Sequence, residues 1–410
     1  MRIQPLKFCI LVFGLILTLT VEAAGERDRH IDHTANVAVL LDLQGGEATL
    51  GRPAMNGFVL ALQKADPLQH PKVFALLLDT KTDPEITRET AKRVASAVSV
   101  ATGFTDNDSV LIAGPIFHKK KIPFLSIGAT DPALPEVIGD TIFLTPFGDN
   151  TQAAAGAEFA RTEFGATVAI LFDNTSQYSR TLPQYFRLRF EELGGEVLLE
   201  TPYQGGCDIS ALGGEIRDLS TEPTFVYLAG LPDCIGEIVE SLRSVGVNQP
   251  ILGGDGLDSG NILNGNKGPT DGVWYTTHAW LSPETGTPLA KKFIAAYQEA
   301  YGSRPEDAFA ALGYDAARLL LDVLQRAEKI RSREIVEAFE STQVFEGVTG
   351  IISYTKESHV PIKTVWTIRV TEGQRSLAAS FIPESVPPPL TSNPSRNGHS
   401  PNFHDHRGDD

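Results

Sequence analysis

The 410 residues carry 35 basic and 51 acidic side chains, a net charge of −16 with histidine neutral, and 3 cysteines. So acidic a chain argues against nucleic acid or anionic membrane as a partner. Its length is that of two domains of ordinary size.

At the N-terminus, Arg2 and Lys7 precede an apolar run from Phe8 to Thr20, and Val21-Glu22-Ala23 places small residues at a cleavage site. That is the layout of a secretory leader, too short and wrongly flanked for a membrane span. Residues 1–23 are expected to be removed near Ala23, delivering a soluble periplasmic protein. The leader holds two basic residues and one acidic, so its loss moves the net charge from −16 to −17. Cys9 lies inside the apolar run, away from a lipoprotein cleavage point. Cys207 and Cys234 remain. In an oxidising compartment they read either as a disulfide or as two partly buried thiols, each in a loop following neighbouring strands.

Beyond Asn36 the chain alternates strand-like and helix-like segments. Strand-like runs at Asn36–Leu43 and Val73–Asp79 are separated by a helical pattern at Gly51–Ala65, with Pro53 near its first turn, and followed by another at Pro84–Val98. The theme recurs with strands at Thr167–Phe172, Glu196–Thr201 and Thr224–Ala229. Helical patterns at Ser179–Leu193, Ile209–Leu219 and Cys234–Val245 lie between or after them. Continuous apolar strands spaced by helices of this length predict parallel sheets covered on both faces. Two such series imply two doubly wound α/β lobes, split near Pro146. Helical patterns follow at Pro288–Tyr301, Ala308–Ala327 and Ser332–Ser341, then strands at Gly350–Tyr354 and Ile362–Val370. Past Phe381 the composition turns to Pro, Ser, Asn, His and Asp, so residues 384–410 are expected to form a disordered tail. His399, His404 and His406 there read as solvated residues or, less simply, as metal ligands.

Open parallel sheets bind ligands at the carboxyl ends of their strands. Ile122–Leu134 reads as a buried strand running out into Ser126, Gly128, Ala129 and Thr130, small residues that let an anion approach the backbone. Taken alone it is also an ordinary strand-to-turn transition. The stretch Gly103–Asp108 opens a helical pattern that runs to Phe117, and its Thr, Asp and Asn suit an anion site or a plain N-cap. Asp255, in Gly253-Gly254-Asp255-Gly256, reads as a carboxylate for an ammonium group, as a turn aspartate or, with Asp258 and Asn261, as a calcium loop.

Ser126-Ile-Gly-Ala-Thr-Asp-Pro, the pair Gln177-Tyr178, Phe225-Val-Tyr-Leu-Ala-Gly and Gly253-Gly-Asp-Gly occur in the order seen in leucine/isoleucine/valine-binding proteins. From Val37 to about Val370 the chain therefore resembles these type I periplasmic binding proteins, which serve ABC importers. The resemblance implies that Asn107, Ala129 and Thr130 hold a ligand carboxylate, with Ser126 in the same turn. It further implies that Thr130 and Asp255 hold an α-ammonium, and that Tyr178 and Phe309 wall the pocket. Asn107 stands where the family usually has Ser, Asp255 where it has Glu, and Leu50 and Leu231 where aromatics are common, so the side-chain pocket has changed. The implied lobes are residues 36–146 plus 278–347 and residues 147–277 plus 348–375, joined by a three-strand hinge near Pro146, His278 and Phe345–Gly350.

No cofactor or metal is implied. The expected partners are a small amino-acid-like molecule and a membrane permease, with the protein itself a monomer. No Gly-x-Ser-x-Gly elbow, His-Glu-x-x-His or phosphate loop is present, which argues against an enzyme. A ligand-sensing receptor subunit of the same fold is the first alternative. An amide, urea or aromatic acid as ligand is the second.

Overall fold

The computed structural model describes residues 17–20, 34–66, 71–231, 234–264 and 270–391. The first sheet contains β1 (Leu17–Thr20), β2 (Thr34–Leu41), β3 (Lys72–Asp79), β4 (Val100–Gly103), β5 (Phe124–Ser126) and β6 (Ile142–Leu144). Their spatial order is β1-β3-β2-β4-β5-β6, parallel throughout except for β1. Apart from β1, the expected leader lies outside the described residues.

Side chains of a parallel strand alternate between two covered faces. In β2, Val37, Val39 and Leu41 enter the core built with the helices Ala48–Lys64 and Phe309–Arg326. Ala38 and Leu40 enter the opposite core, with the helices Pro84–Val94 and Asn107–Lys119. Gly57 and Gly313 make the first helix pair possible. A Cβ on Gly57 would overlap the Ala310 carbonyl, and one on Gly313 the Ala54 carbonyl.

The second sheet contains β7 (Thr167–Asp173), β8 (Glu196–Tyr203), β9 (Phe225–Ala229), β10 (Ile251–Gly253) and β11 (Val273–Thr277). A hairpin, β12 (Phe345–Gly347) and β13 (Gly350–Ile352), stands apart, and β14 (Val365–Thr371) and β15 (Gln374–Phe381) complete the sheet. The order is β15-β14-β11-β10-β9-β7-β8, with β14 and β15 antiparallel on one edge. Val168 and Ile170 pack on the side of the helices Asp149–Glu163 and Gln177–Glu192. Ala169 and Leu171 pack towards the helices Ser210–Arg217 and Ile235–Ser244. Among the described residues no helix is long and apolar enough to cross a membrane.

The chain passes between the sheets after β6, after β11 and before β14. The last passage lies later than Phe345–Gly350. Ile352 and Tyr354 belong to the first core, the Tyr354 hydroxyl donates to Leu144 O at 2.7 Å, and the His359 ring stacks on Phe143 at 4.0 Å. Residues 348–360 thus pack with the first sheet, and the glycine-flanked turn of the β12–β13 hairpin had imitated a crossing. The tail also begins later than residue 384. Glu384 N donates to Glu158, Asn150 Nδ2 to Pro387 O at 2.8 Å, and Leu390 N to the Tyr185 hydroxyl at 2.8 Å. Backbone hydrogen bonds to the second lobe fix this proline-rich stretch despite its composition. Residues 392–410, with the three tail histidines, lie outside the described residues. The Gly253–Asn261 segment holds Asp258 against Thr277 and Ala308 N, so that carboxylate serves a protein contact.

Candidate functional site: an acidic cleft between the lobes

A cleft of about 210 Å³ opens where the carboxyl ends of the two sheets face each other. Asn107, Thr130, Tyr178, Asp255 and Phe309 all line it. Ser126 and Ala129 lie behind its wall, 0% and 1% exposed.

The turn after β5 is held from within. Ser126 Oγ accepts from Ala129 N at 3.0 Å, and Asn107 Oδ1 accepts from Thr130 N at 2.9 Å and Asp131 N at 3.0 Å. Gly128 N donates to Phe104 O. The backbone N–H groups expected to receive an anion are therefore already spent. Asn107 acts as the staple of the turn, and only its Nδ2, buried without a partner, remains for a ligand. The Thr105 hydroxyl beside it is in the same condition. Buried polar groups without partners are uncommon, and here both belong to residues lining the cleft.

Asp255 is not a lone carboxylate among glycines. It is 2% exposed, and its Oδ2 meets His278 Nε2 at 2.9 Å. Its Oδ1 accepts from Gln152 Nε2 at 2.7 Å, and its N–H donates to Gln152 Oε1. Gln152 Nε2 also reaches Asp149 Oδ1 at 2.8 Å, so one amide bridges two carboxyl groups. Burial, then the charge of Asp255, holds Asp149 well above the ordinary carboxylate range. Burial pushes His278 below its ordinary value, against the pull of Asp255, so the imidazole is neutral near pH 7. A neutral ring facing a carboxylate donates through Nε2–H, which leaves Nδ1 as a bare acceptor without a partner. The ring stacks on Phe147 at 3.9 Å and meets Phe309 edge-on at 6.1 Å.

On the first-lobe side, Asp106 caps the helix Asn107–Lys119 by accepting from Ser109 N at 2.6 Å. Burial and the charge of nearby Asp42 push Asp106 up to about 7. From the second lobe, Gln177 reaches over the cleft. Its Nε2 donates to Asp131 Oδ2 at 2.7 Å and its N–H to Asp108 Oδ2 at 3.2 Å. The Tyr178 hydroxyl accepts from Gly256 N at 3.0 Å, which holds the ring over the pocket. Beside the cleft, a disulfide joins Cys207, after β8, to Cys234, after β9, with Cα atoms 5.2 Å apart. The two strands are not neighbours, because β7 lies between them.

His278, Gln152 and Asp149 escaped the sequence reading as site residues. The helix Asp149–Glu163 that carries two of them was itself not anticipated. The available signal was Asp149 and Gln152 three apart, on one helix face, directly after a crossing.

Two doubly wound lobes, three crossings and a cleft closed by side chains of both lobes define a solute-binding protein rather than an enzyme. The chain belongs to the periplasmic binding protein family, which it matches over residues 34–375. A Leu/Ile/Val-binding protein of Rhizobium johnstonii is 23% identical over 327 residues, 78% of this chain and 87% of that protein. A leucine-binding protein from Thermotoga maritima is similar with a TM-score of 0.79 at 30% identity, covering 85% of this chain and 99% of its own. A solute-binding protein from Rhodopseudomonas palustris, solved with 3,4-dihydroxybenzoic acid, has a TM-score of 0.76 at 20% identity, covering 87% and 99%.

Proposed function

We propose that this protein is the extracytoplasmic solute-binding subunit of an ABC importer, and that it holds an amino acid or an amino-acid-like molecule between its lobes. The observation that carries the reading is the pairing of unlike groups across one cleft. Asn107 Nδ2 and the Thr105 hydroxyl offer hydrogen bonds to a carboxylate from the first lobe, and Asp255 offers charge to an ammonium from the second. The leucine- and Leu/Ile/Val-binding relatives support it. The protein acts as a periplasmic monomer after removal of residues 1–23, and its closed form docks on a membrane permease. Lobe I takes residues 36–146 and 278–360, and lobe II residues 147–277 and 365–391. Closure is a rigid-body motion about the three crossings.

An aromatic acid, as in the Rhodopseudomonas palustris neighbour, fits less well because every charged residue lining the cleft is acidic. Calorimetry with L-amino acids, their amides and their deaminated acids tests the assignment. Removal of either charged end should weaken binding at least tenfold. A deaminated acid or an amino-acid amide that binds as tightly as the best amino acid would overturn it.

A further inference from the structure

The cleft does not end at Asp255. A second chamber of about 120 Å³ adjoins it, and Glu47 and Leu231 line both. Glu47, Asp106, Asp108 and Asp255 are the carboxyl-bearing residues of the main cleft, Asp106 being pushed up to about 7, and Glu47 and Asp173 are those of the chamber. Among the described residues neither cavity is lined by a lysine, arginine or histidine. The Tyr203 hydroxyl is buried without a partner, in a residue 7% exposed that lines the chamber. After burial itself, the charge of Asp173 is what acts on that hydroxyl. Asp173 is held by its own loop, for Oδ1 accepts from Thr175 N at 2.8 Å, Thr175 Oγ1 at 2.7 Å and Gly205 N at 3.2 Å. The walls are also held, since Gly206 and Cys234 line the chamber and the disulfide ties their loops together.

We propose that the ligand is a basic α-amino acid, whose α-ammonium lies at Asp255 and whose distal ammonium or guanidinium reaches the chamber of Asp173 and Tyr203. The inference rests on the amino-acid reading above and narrows it. A neutral zwitterion brings one ammonium and one carboxylate, so it adds no net positive charge to cavities whose ionisable lining is entirely acidic. A second positive charge on the ligand removes that imbalance, and partial desolvation strengthens the attraction. Leu50, Leu231 and Phe309 supply apolar wall for the methylene stem. The distal cation gives the buried Tyr203 oxygen a donor to accept from.

Calorimetry on the full mature chain with L-lysine, L-arginine, L-leucine and L-norleucine decides the matter, norleucine being lysine without its amino group. Lysine or arginine should bind at least tenfold more tightly than norleucine. Asp173→Asn keeps the loop's acceptor oxygen, so it should weaken lysine and arginine at least tenfold more than norleucine and erase most of that preference. Norleucine or leucine binding as tightly as the basic amino acids would overturn this proposal while the amino-acid reading stands. Binding of a neutral amide or aromatic acid, with none of any amino acid, would overturn both. A cation preference undiminished in Asp173→Asn, with an unchanged melting temperature, would remove the chamber from the site.

Discussion

Lys363 sits at the last crossing between the lobes, and replacing it with methionine isolates the effect of its charge. Its side chain is 1% exposed, and Nζ donates to Thr145 O at 2.9 Å and Thr349 Oγ1 at 2.8 Å. Thr145 belongs to the first crossing, so this one amine ties two of the three hinge segments. Burial drives its pKa from 10.5 down to about 7, with only the charge of Asp315 opposing. Below pH 7 the amine is protonated in both folded and unfolded chains, and the fold bears the full cost of burying the charge. Between pH 7 and 10.5 the unfolded chain keeps a proton the folded chain has lost, so this contribution to stability rises with pH. At about 1.4 kcal/mol per pH unit for a whole proton, the gain from pH 7 to 9 is roughly 2 kcal/mol. Urea unfolding of both proteins at pH 7, 8 and 9 measures it. The loss of hydrogen bonds in Lys363→Met is a constant offset, so the stability of the wild type relative to the variant should increase by that amount across the series. Parallel pH courses for the two proteins would refute the reasoning.

Asn107→Ala strips two acceptor contacts from the turn after β5, leaving Thr130 N and Asp131 N unpaired. At about 1–3 kcal/mol for a buried group left without a partner, the apo protein should lose roughly 2–4 kcal/mol in chemical denaturation. An unchanged midpoint would mean that the turn holds itself. Cys207→Ser with Cys234→Ser opens a loop of sequence separation 27. The chain-entropy relation puts that at about 3–4 kcal/mol, to be read as a lower melting temperature under oxidising conditions and no further drop on adding reductant. Truncation after Phe381 removes the backbone contacts to Glu158, Asn150 and Tyr185. It should lower the melting temperature by a few degrees, whereas truncation after Thr391 should not.

The sheets were legible because their strands are short apolar runs set apart by helices, and β3, β7 and β9 began or ended within two residues of expectation. The turn after β5 was legible as a feature but not in its role. Nothing local in the sequence says that the Asn107 amide oxygen spans 23 residues to occupy the N–H of Thr130. Asp255 failed in the same way. Its glycine neighbours suggested an open carboxylate, whereas His278 and Gln152 reach it from 23 and 103 residues away. Short-range turn chemistry can be read from residue types. Contacts made by long-range closure depend on topology, and the β12–β13 hairpin and the 384–391 stretch were misplaced for that reason.

Neither lobe is continuous along the chain. One face of the first sheet is sealed by the helix Phe309–Arg326, and Phe143 lies against Phe339, Tyr354 and His359. A chain emerging from its N-terminus therefore has only the helix Ala48–Lys64 to lay on that apolar face, and the rest stays exposed until those late residues arrive. Loop closure over such distances is slow relative to local helix formation, so the first half stays uncommitted while the rest is made. A polypeptide that delays its own compaction is one that can still be threaded through a narrow channel. The same interleaving denies any proteolytic nick near residue 278 the power to release a self-sufficient half, because each portion lacks a wall that the other supplies.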